Sequence, residues 1–498
     1  PERAPVDDIT KPLTLRATKN GSTVSLKKNG SPTGSFETSR DGGNTWVDYT
    51  LNTAITLNIG DEVAFRAKAD RTSEQDYQDY NKYFYFNMTG KIEAWHNVMS
   101  MLRTNDFATY GSVVKYAFSY LFKSCTSLTK APVLPTTTLA SNCYYHMFDG
   151  CTSLTKAPEL PATTLSVNCY AYMFSGCTSL TKAPELPATT IASSCYAFMF
   201  NGCSSLTEAP ELPATTLANY CYQNMFNGCW KLTKAPVLPA TTLATYCYYH
   251  MFDGCESLTK APELPATTLS FHCYDGMFNG CTSLVNAPVL PATTLVNYCY
   301  SNMFYGCTSL VNAPVLPATT LTISCYSDMF YGCTSLVNAP KLPATTLNAG
   351  CYVGMFYDCT SLKEAPELPA TTLSYRCYEH MFGGCTSLTK APKLPATTLD
   401  EKCYYGMFLG CTSLANAPAL PATTLAVGCY QHMFGGCSWL NEVHCNMPSS
   451  YSSSTIEKTY AYSWLKNVSS TGTFYTNADA NWPSGASGIP EGWTRSNI

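Results

Sequence analysis

The chain has 498 residues, a formal net charge of −4 and only 13% charged residues, against about 25% in ordinary domains. That balance excludes a general nucleic-acid binder, which needs a basic surface, and no apolar run reaches the ~18–20 residues of a membrane-spanning helix. Tyr, Thr, Ser and Asn carry the polarity instead, which suits an extracellular or cell-surface protein. The sequence opens at Pro1 without an initiator Met, and a targeting peptide removed or left out is expected.

Residues 1–90 contain no repeat. The stretches TLRATKNGSTVSLKKNG, GSFETSRDGGNTWVDYT, TAITLNIGDEVAFRAKA and KYFYFNMTG alternate polar with apolar or β-branched residues, with Asn-Gly, Asp-Gly and Gly-Gly pairs between them. Short antiparallel strands joined by tight turns follow, and hence a small Ig-like β-sandwich. Ser39 to Trp46 fits the Asp-box pattern S-x-D-x-G-x-T-W of sialidase-like propellers. Asp41 there is expected to staple a hairpin turn rather than catalyse glycoside hydrolysis. Residues 91–124 drift toward the repeat that follows. KIEAWHNVMSMLR suits a short helix or strand-turn cap, and Ala117 stands where later copies have Cys. An atypical end unit is what a repeat array needs to cover its first layer.

From 125 to 441 the chain is an array with a period of 26 residues. One copy, Leu160–Glu185, reads LPATTLSVNCYAYMFSGCTSLTKAPE, and the next begin at Leu186 and Leu212. A strict period of this length is the signature of a solenoid, in which each unit buries its apolar face only against its neighbours. Thr163 and Thr164 suit a helix start. Leu165, Cys169 and Met173 recur at i, i+4 and i+8 as on one helix face, and Gly176 occupies the place of a helix-ending glycine. Asp358 replaces that glycine in one copy. SLTKAPELP then reads as a strand-like leg closed by proline, which interrupts any long ladder between neighbouring legs. The predicted fold class is an α+β solenoid of short strand plus short helix units, with an all-β N-terminal domain. Residues 442–498 are predicted to be a C-terminal cap anchored by Trp464, Leu465, Phe474, Trp482 and Trp493.

The recurring LPATTL…CYxxMFxGCTSL, and above all its in-phase Phe-x-Gly-Cys-x-Ser-Leu core, resembles the BspA-type leucine-rich repeats of surface proteins of Bacteroides and related organisms. The resemblance covers roughly residues 116–440. It departs from the family pattern at Cys169, where the family has Ile, and at Met173, where it has Ala. It implies a leucine-rich-repeat fold and an association with adhesion to host or bacterial partners.

All but one of the 26 cysteines stand in two columns, Cys143 to Cys429 and Cys125 to Cys437; the exception is Cys445. Buried free thiols acting as small hydrophobes are one reading. Within a helical unit the two columns would lie about 12 Å apart, at about 1.5 Å per residue, too far for a disulfide. A second reading pairs the later Cys of one unit with the earlier Cys of the next, as in Cys125–Cys143, leaving Cys437 for Cys445. A third pairs cysteines within a unit. Zinc-ligand spacing is missing.

No nucleotide-binding, nucleophile-elbow or zinc-protease motif occurs, so no catalytic, cofactor or metal site is predicted. His146, His250, His380 and His432 share one repeat position, and no fixed carboxylate or nucleophile partner recurs beside them in the sequence pattern. Glu159, Glu185, Glu211 and Glu263 fall near Lys156, Lys182 and Lys260, as an exposed ion-pair ladder would. The positions that vary between units hold aromatic and small polar residues, a composition suited to recognition. Tyr145, Tyr172, Tyr220, Tyr246, Tyr298, Tyr305, Tyr331 and Tyr375 are therefore the candidate ligand-binding surface. The predicted function is a non-enzymatic surface or secreted binding protein whose partner is a protein or glycan on a host or bacterial surface. A stalk, fibre or phage-tail-like receptor-binding component is the alternative.

Overall fold

The computed structural model describes residues 6–71, 79 and 81–498. The chain divides into two compact units, Pro1–Ala240 and Thr241–Ile498.

The first unit opens with two sheets. Strands β1 (Thr14–Ala17), β2 (Ser22–Asn29), β3 (Phe36–Ser39), β4 (Val47–Tyr49), β5 (Ile55–Leu57), β6 (Glu62–Ala67), β7 (Tyr83–Thr89), β8 (Ile92–Trp95) and β9 (Leu128–Lys130) follow in order. One sheet runs β4-β3-β6-β1-β8-β9 and the other β5-β2-β7. Alternation sets the inward face: Leu13, Leu15, Val24, Leu26, Val63 and Phe65 are fully buried. Rings from the two sheets meet edge to face, Phe36 with Phe84 at 4.9 Å and Phe65 with Phe86 at 5.1 Å. The Asp-box turn forms as a staple. Asp41 accepts the backbone N–H groups of Asn44 and Thr45 at 3.0 and 2.9 Å and the hydroxyls of Thr45 and Ser39 at 2.6 and 2.7 Å.

These sheets also begin the repeat stack. Strand β9 is the first leg of the array and pairs in parallel with β8. Phe86 of β7 stacks on Phe122 at 5.2 Å and accepts the Cys125 thiol proton on its carbonyl. It thus occupies the place that a preceding repeat would fill.

The repeats are built from turns, and the expected helix does not form. In the copy around Cys169, the N–H groups of Cys169, Ala171, Met173, Ser175 and Cys177 each donate three residues back, at 3.0–3.2 Å. The intervening N–H groups of Tyr170, Tyr172, Phe174 and Gly176 donate to Cys195, Ala197, Met199 and Asn201 of the next unit, at 2.7–3.0 Å. Every fourth residue, Asn168, Tyr172 and Gly176, has a positive φ of 54°, 58° and 68°. A helix needs negative φ throughout and spends its N–H groups internally. This ribbon of overlapping turns spends half of them on its neighbour, which satisfies the backbone and fixes the register between units.

The spacing that suggested a helix nevertheless marks the interior. Cys169, Tyr170, Met173, Phe174 and Cys177 are all buried, because the ribbon repeats every four residues and the helix every 3.6. Equivalent rings stack along the first unit, Phe122 through Phe226 at 5.4–5.7 Å and Tyr144 through Tyr222 at 5.7–5.9 Å. Each buried Met or Phe side chain is worth about 1.5–3 kcal/mol in area removed from water. The legs meet only at isolated parallel bridges, such as Thr138 to Thr164 and Thr164 to Thr190, since the prolines lack an N–H to extend them.

The second unit repeats this construction, with Phe252 through Phe434 stacked at 5.5–5.7 Å. Residues 460–466 close it. The carbonyls of Tyr460, Tyr462, Trp464 and Lys466 accept the bonds that a further ribbon would have taken. Trp464 lies against Phe434 and stacks on Trp482 at 5.0 Å. Three parallel strands, β10 (Glu442–His444), β11 (Gly472–Thr476) and β12 (Trp493–Asn497), continue the legs.

All 26 cysteines are free and buried; the Cys125–Cys143 pairing does not form. Beyond Cys125, which donates to Phe86, later-column thiols such as Cys151, Cys177 and Cys203 donate to the Phe carbonyl 29 residues before them, at 3.2 Å for Cys177 and Phe148. Burial pushes the Cys169 thiol up to about 12, so these cysteines are packing groups rather than nucleophiles.

Candidate ligand-binding face

The variable positions fall on the outer edge of the ribbon, and two of their columns coincide with positive φ. Tyr172, Tyr220, Tyr246 and Tyr298 sit there at φ of 54–60°, a conformation that bulky side chains rarely adopt and that costs roughly 1–3 kcal/mol. Stacking along the column offsets part of that cost.

In the first unit Tyr83, Tyr120, His146, Tyr172 and Phe198 form one continuous stack, with successive centroids 4.2, 5.2, 4.3 and 4.4 Å apart. Tyr145 lies across its middle at right angles, 4.3 Å from His146. In the second unit Tyr246, His272 and Tyr298 stack at 4.6 and 4.5 Å, with Phe271 perpendicular and 4.2 Å from His272. Tyr305, Tyr331 and Tyr357 form a further stack at 4.5 and 4.9 Å. Tyr220 and Tyr375 are more exposed than the other predicted tyrosines, and Tyr375 lies beside the Arg376 guanidinium, 5.8 Å from its ring centre. The structure thus joins Tyr145 with Tyr172, Tyr246 with Tyr298, and Tyr305 with Tyr331. Within these stacks ring faces are covered by neighbours, which leaves ring edges and hydroxyls outward.

Where a ring is not stacked on a ring, a glycine receives the side chain. His250 lies over Gly276, Asp328 over Gly354 and His380 over Gly406; a Cβ on any of these glycines would collide with the side chain above it. The positions that vary between units are therefore coupled to the next unit.

Three histidines do meet carboxylates at fixed geometry, contrary to the pattern expected from the sequence. The Nδ1 atoms of His146, His250 and His272 lie 2.8, 2.7 and 2.6 Å from Asp149, Asp253 and Asp275. Asn302 donates to the other oxygen of Asp275 at 3.2 Å. His272 lies one column away from the other two, so a scan of a single repeat position misses it; the shared signal is aromatic-His-x-x-Asp at Tyr145, Tyr249 and Phe271. Burial lowers His380 and His432 below the ordinary imidazole range.

The expected Lys–Glu ladder also fails. Lys156 and Glu159 stand three residues apart on an extended leg, about 10 Å by strand rise, and only Lys390 with Glu364, at 3.6 Å, makes such a contact between the described legs. Between the charged rows run shallow grooves floored by Ala157, Pro158 and Leu160, one of about 430 Å³. No group of three or more His, Cys, Asp or Glu side chains able to hold a metal ion occurs among the described residues. No described helix is long and apolar enough to cross a membrane.

A family model described as a BspA type leucine rich repeat region matches residues 117–259, 193–337 and 245–388, together more than half of the chain. No curated protein matches. Among solved structures, the chain is similar to one described as the TLR13–ssRNA13 complex. Identity is 15%, coverage is 73% of this chain and 48% of that one, and the TM-score is 0.23. The match therefore spans about half of that chain.

Proposed function

The chain belongs to the BspA-type leucine-rich repeat family, and from that premise we propose that it is a non-enzymatic cell-surface or secreted adhesion protein. Its ligand is a protein or glycan on a host or bacterial surface. An Ig-like β-sandwich at residues 1–90 carries the array, residues 91–124 and 442–498 close its ends, and the ribbon edge makes the contact. The observation that carries this reading is the placement of tyrosine and histidine edges at ribbon positions that need positive φ in every unit and that glycine, asparagine or serine fills in others. Backbone strain retained at a surface of rigid aromatics is a mark of a functional face. The thiols, raised by burial, support the non-enzymatic part of the proposal.

A glycan and protein array probed with the intact chain identifies the ligand class. Alanine at Tyr220, Tyr246 and Tyr298 is then expected to abolish capture while the far-ultraviolet spectrum and melting profile stay intact. Undiminished capture by the folded triple variant rules this face out.

A further inference from the structure

Comparing units within the chain isolates one exposed site that the stack does not need. The residue after the later cysteine is Thr or Ser in every copy except Trp230 and Glu256. The next is Ser in every copy except Lys231 and Trp439. The segment CWKLTKAPV, 229–237, thus breaks the pattern twice in succession. Val237, like Val133, Val289 and Val315 in other units, stands where the three preceding units carry Glu159, Glu185 and Glu211. Trp230 is 58% exposed and Val237 65%, and Lys231 and Lys234 are exposed as well.

The core gains little from these residues. Threonine or serine serves at the Trp230 position in eleven of the thirteen copies, the exceptions being Trp230 itself and Glu256, and the layers beneath stack alike. An indole left in water forfeits its hydrophobic gain. Both lysines stand free of any ion pair among the described residues. The three changes replace a neutral-to-acidic stretch with an aromatic, basic one, on a chain whose net charge is −4.

We infer that Trp230, Lys231, Lys234 and Val237 form a binding site for an acidic saccharide, a sugar bearing carboxylate or sulfate. The indole offers a flat face to the C–H face of a pyranose ring. The two ammonium groups pair with the acid as compact point charges that accept many anion geometries. Val237, about 10 Å along the leg from Lys234, meets the apolar edge of a second ring. A flat anionic bilayer suits the site less well. The leg bridged to Lys234 carries the exposed Glu208, and Glu211 and Glu185 follow on the same side. A broad anionic surface would meet those carboxylates, whereas one or two sugar rings need touch only residues 230–237. The inference rests on the chain being a binding protein, but it uses the turn after the ribbon and not the tyrosine columns.

The test is titration of the intact chain with sialyllactose and a heparin-derived tetrasaccharide, with lactose as the neutral control, followed by calorimetry and saturation-transfer NMR. At least one acidic sugar is expected to bind, with lactose weaker by about tenfold or more and an affinity that falls with added salt. Trp230→Thr and Lys231→Ser install residues that other units already carry, so the stack is retained. Each is expected to weaken binding about tenfold, while Val315→Ala, at an exposed residue of another unit, leaves it unchanged. The inference is overturned if neither acidic sugar binds, or if affinity survives Trp230→Thr. Retention on phosphatidylserine vesicles without sugar binding also overturns it and assigns the patch to membranes. None of these failures touches the tyrosine face, whose own test is the array capture described above.

Discussion

The tyrosine ladder in the core predicts that one substitution will have opposite effects in different units. Tyr144 and Thr136 are both buried and their hydroxyls lie 2.7 Å apart. Every later copy has alanine at the Thr136 position, as at Ala188, eight residues before Tyr196. The hydroxyl of Tyr196 is buried with no partner, and so are those of Tyr300 and Tyr430. Tyr144→Phe removes a hydrogen bond worth about 1 kcal/mol and strands the Thr136 hydroxyl, for a total loss of roughly 1–3 kcal/mol. Tyr196→Phe keeps the ring stacked between Tyr170 and Tyr222 at 5.9 and 5.8 Å and deletes an unsatisfied group, a gain of about 1 kcal/mol or more. Ala188→Thr is expected to stabilise by supplying the missing partner. Because a repeat array need not unfold in one step, the measurement is native-state hydrogen exchange at the amides flanking each tyrosine, backed by urea unfolding of the whole chain. If Tyr144→Phe and Tyr196→Phe shift protection in the same direction, the hydroxyl accounting is wrong.

Two further outcomes follow from the same packing. Gly276→Ala is expected to destabilise by roughly 1–3 kcal/mol, because its Cβ meets the His250 ring and φ there is positive. Adding His250→Gly recovers the steric part, and a double-mutant cycle showing no coupling would refute the nested arrangement. The second outcome concerns alkaline pH. Burial raises the thiols, Cys169 and Cys221 to about 12, whereas an unfolded cysteine titrates near 8.5. The folded state therefore holds protons that the unfolded chain releases. Stability is complete below about pH 8 and falls as pH rises, by up to about 1.4 kcal/mol per unit for each ionised thiol. Urea midpoints measured from pH 7 upward are expected to drop steeply, and a flat profile to about pH 10 would contradict free buried thiols.

Much of the fold was legible because a strict period leaves few options. The two columns of cysteine, the inward Met and Phe and the proline-closed legs all follow from residue type and phase. The helix did not follow. Over the nine residues from Cys169 to Cys177 a four-residue period and a 3.6-residue period place the same side chains inside, so burial alone cannot choose between them. The positive φ at Asn168, Tyr172 and Gly176 decides it. Only the glycine advertises such a conformation in sequence; a tyrosine does not. Tyr170 and its equivalents belong to the core, and their presence in every unit was the available signal. The variable tyrosines were found as positions, but their stacking was not. It depends on pairs 26 residues apart, such as His146 with Tyr172 or His250 with Gly276, and a column scanned one residue at a time hides such pairs.

The buried thiols also bear on what happens if the protein once opens. Folded, each cysteine is screened from oxidants by the layers on either side. Unfolded in oxidising surroundings, 26 thiols become nucleophiles together, and nearly any two can join. Wrong crosslinks would then forbid the stack from re-forming. Outside a cell such a molecule persists by how seldom it opens, not by how well it refolds, and opening is for it a one-way event.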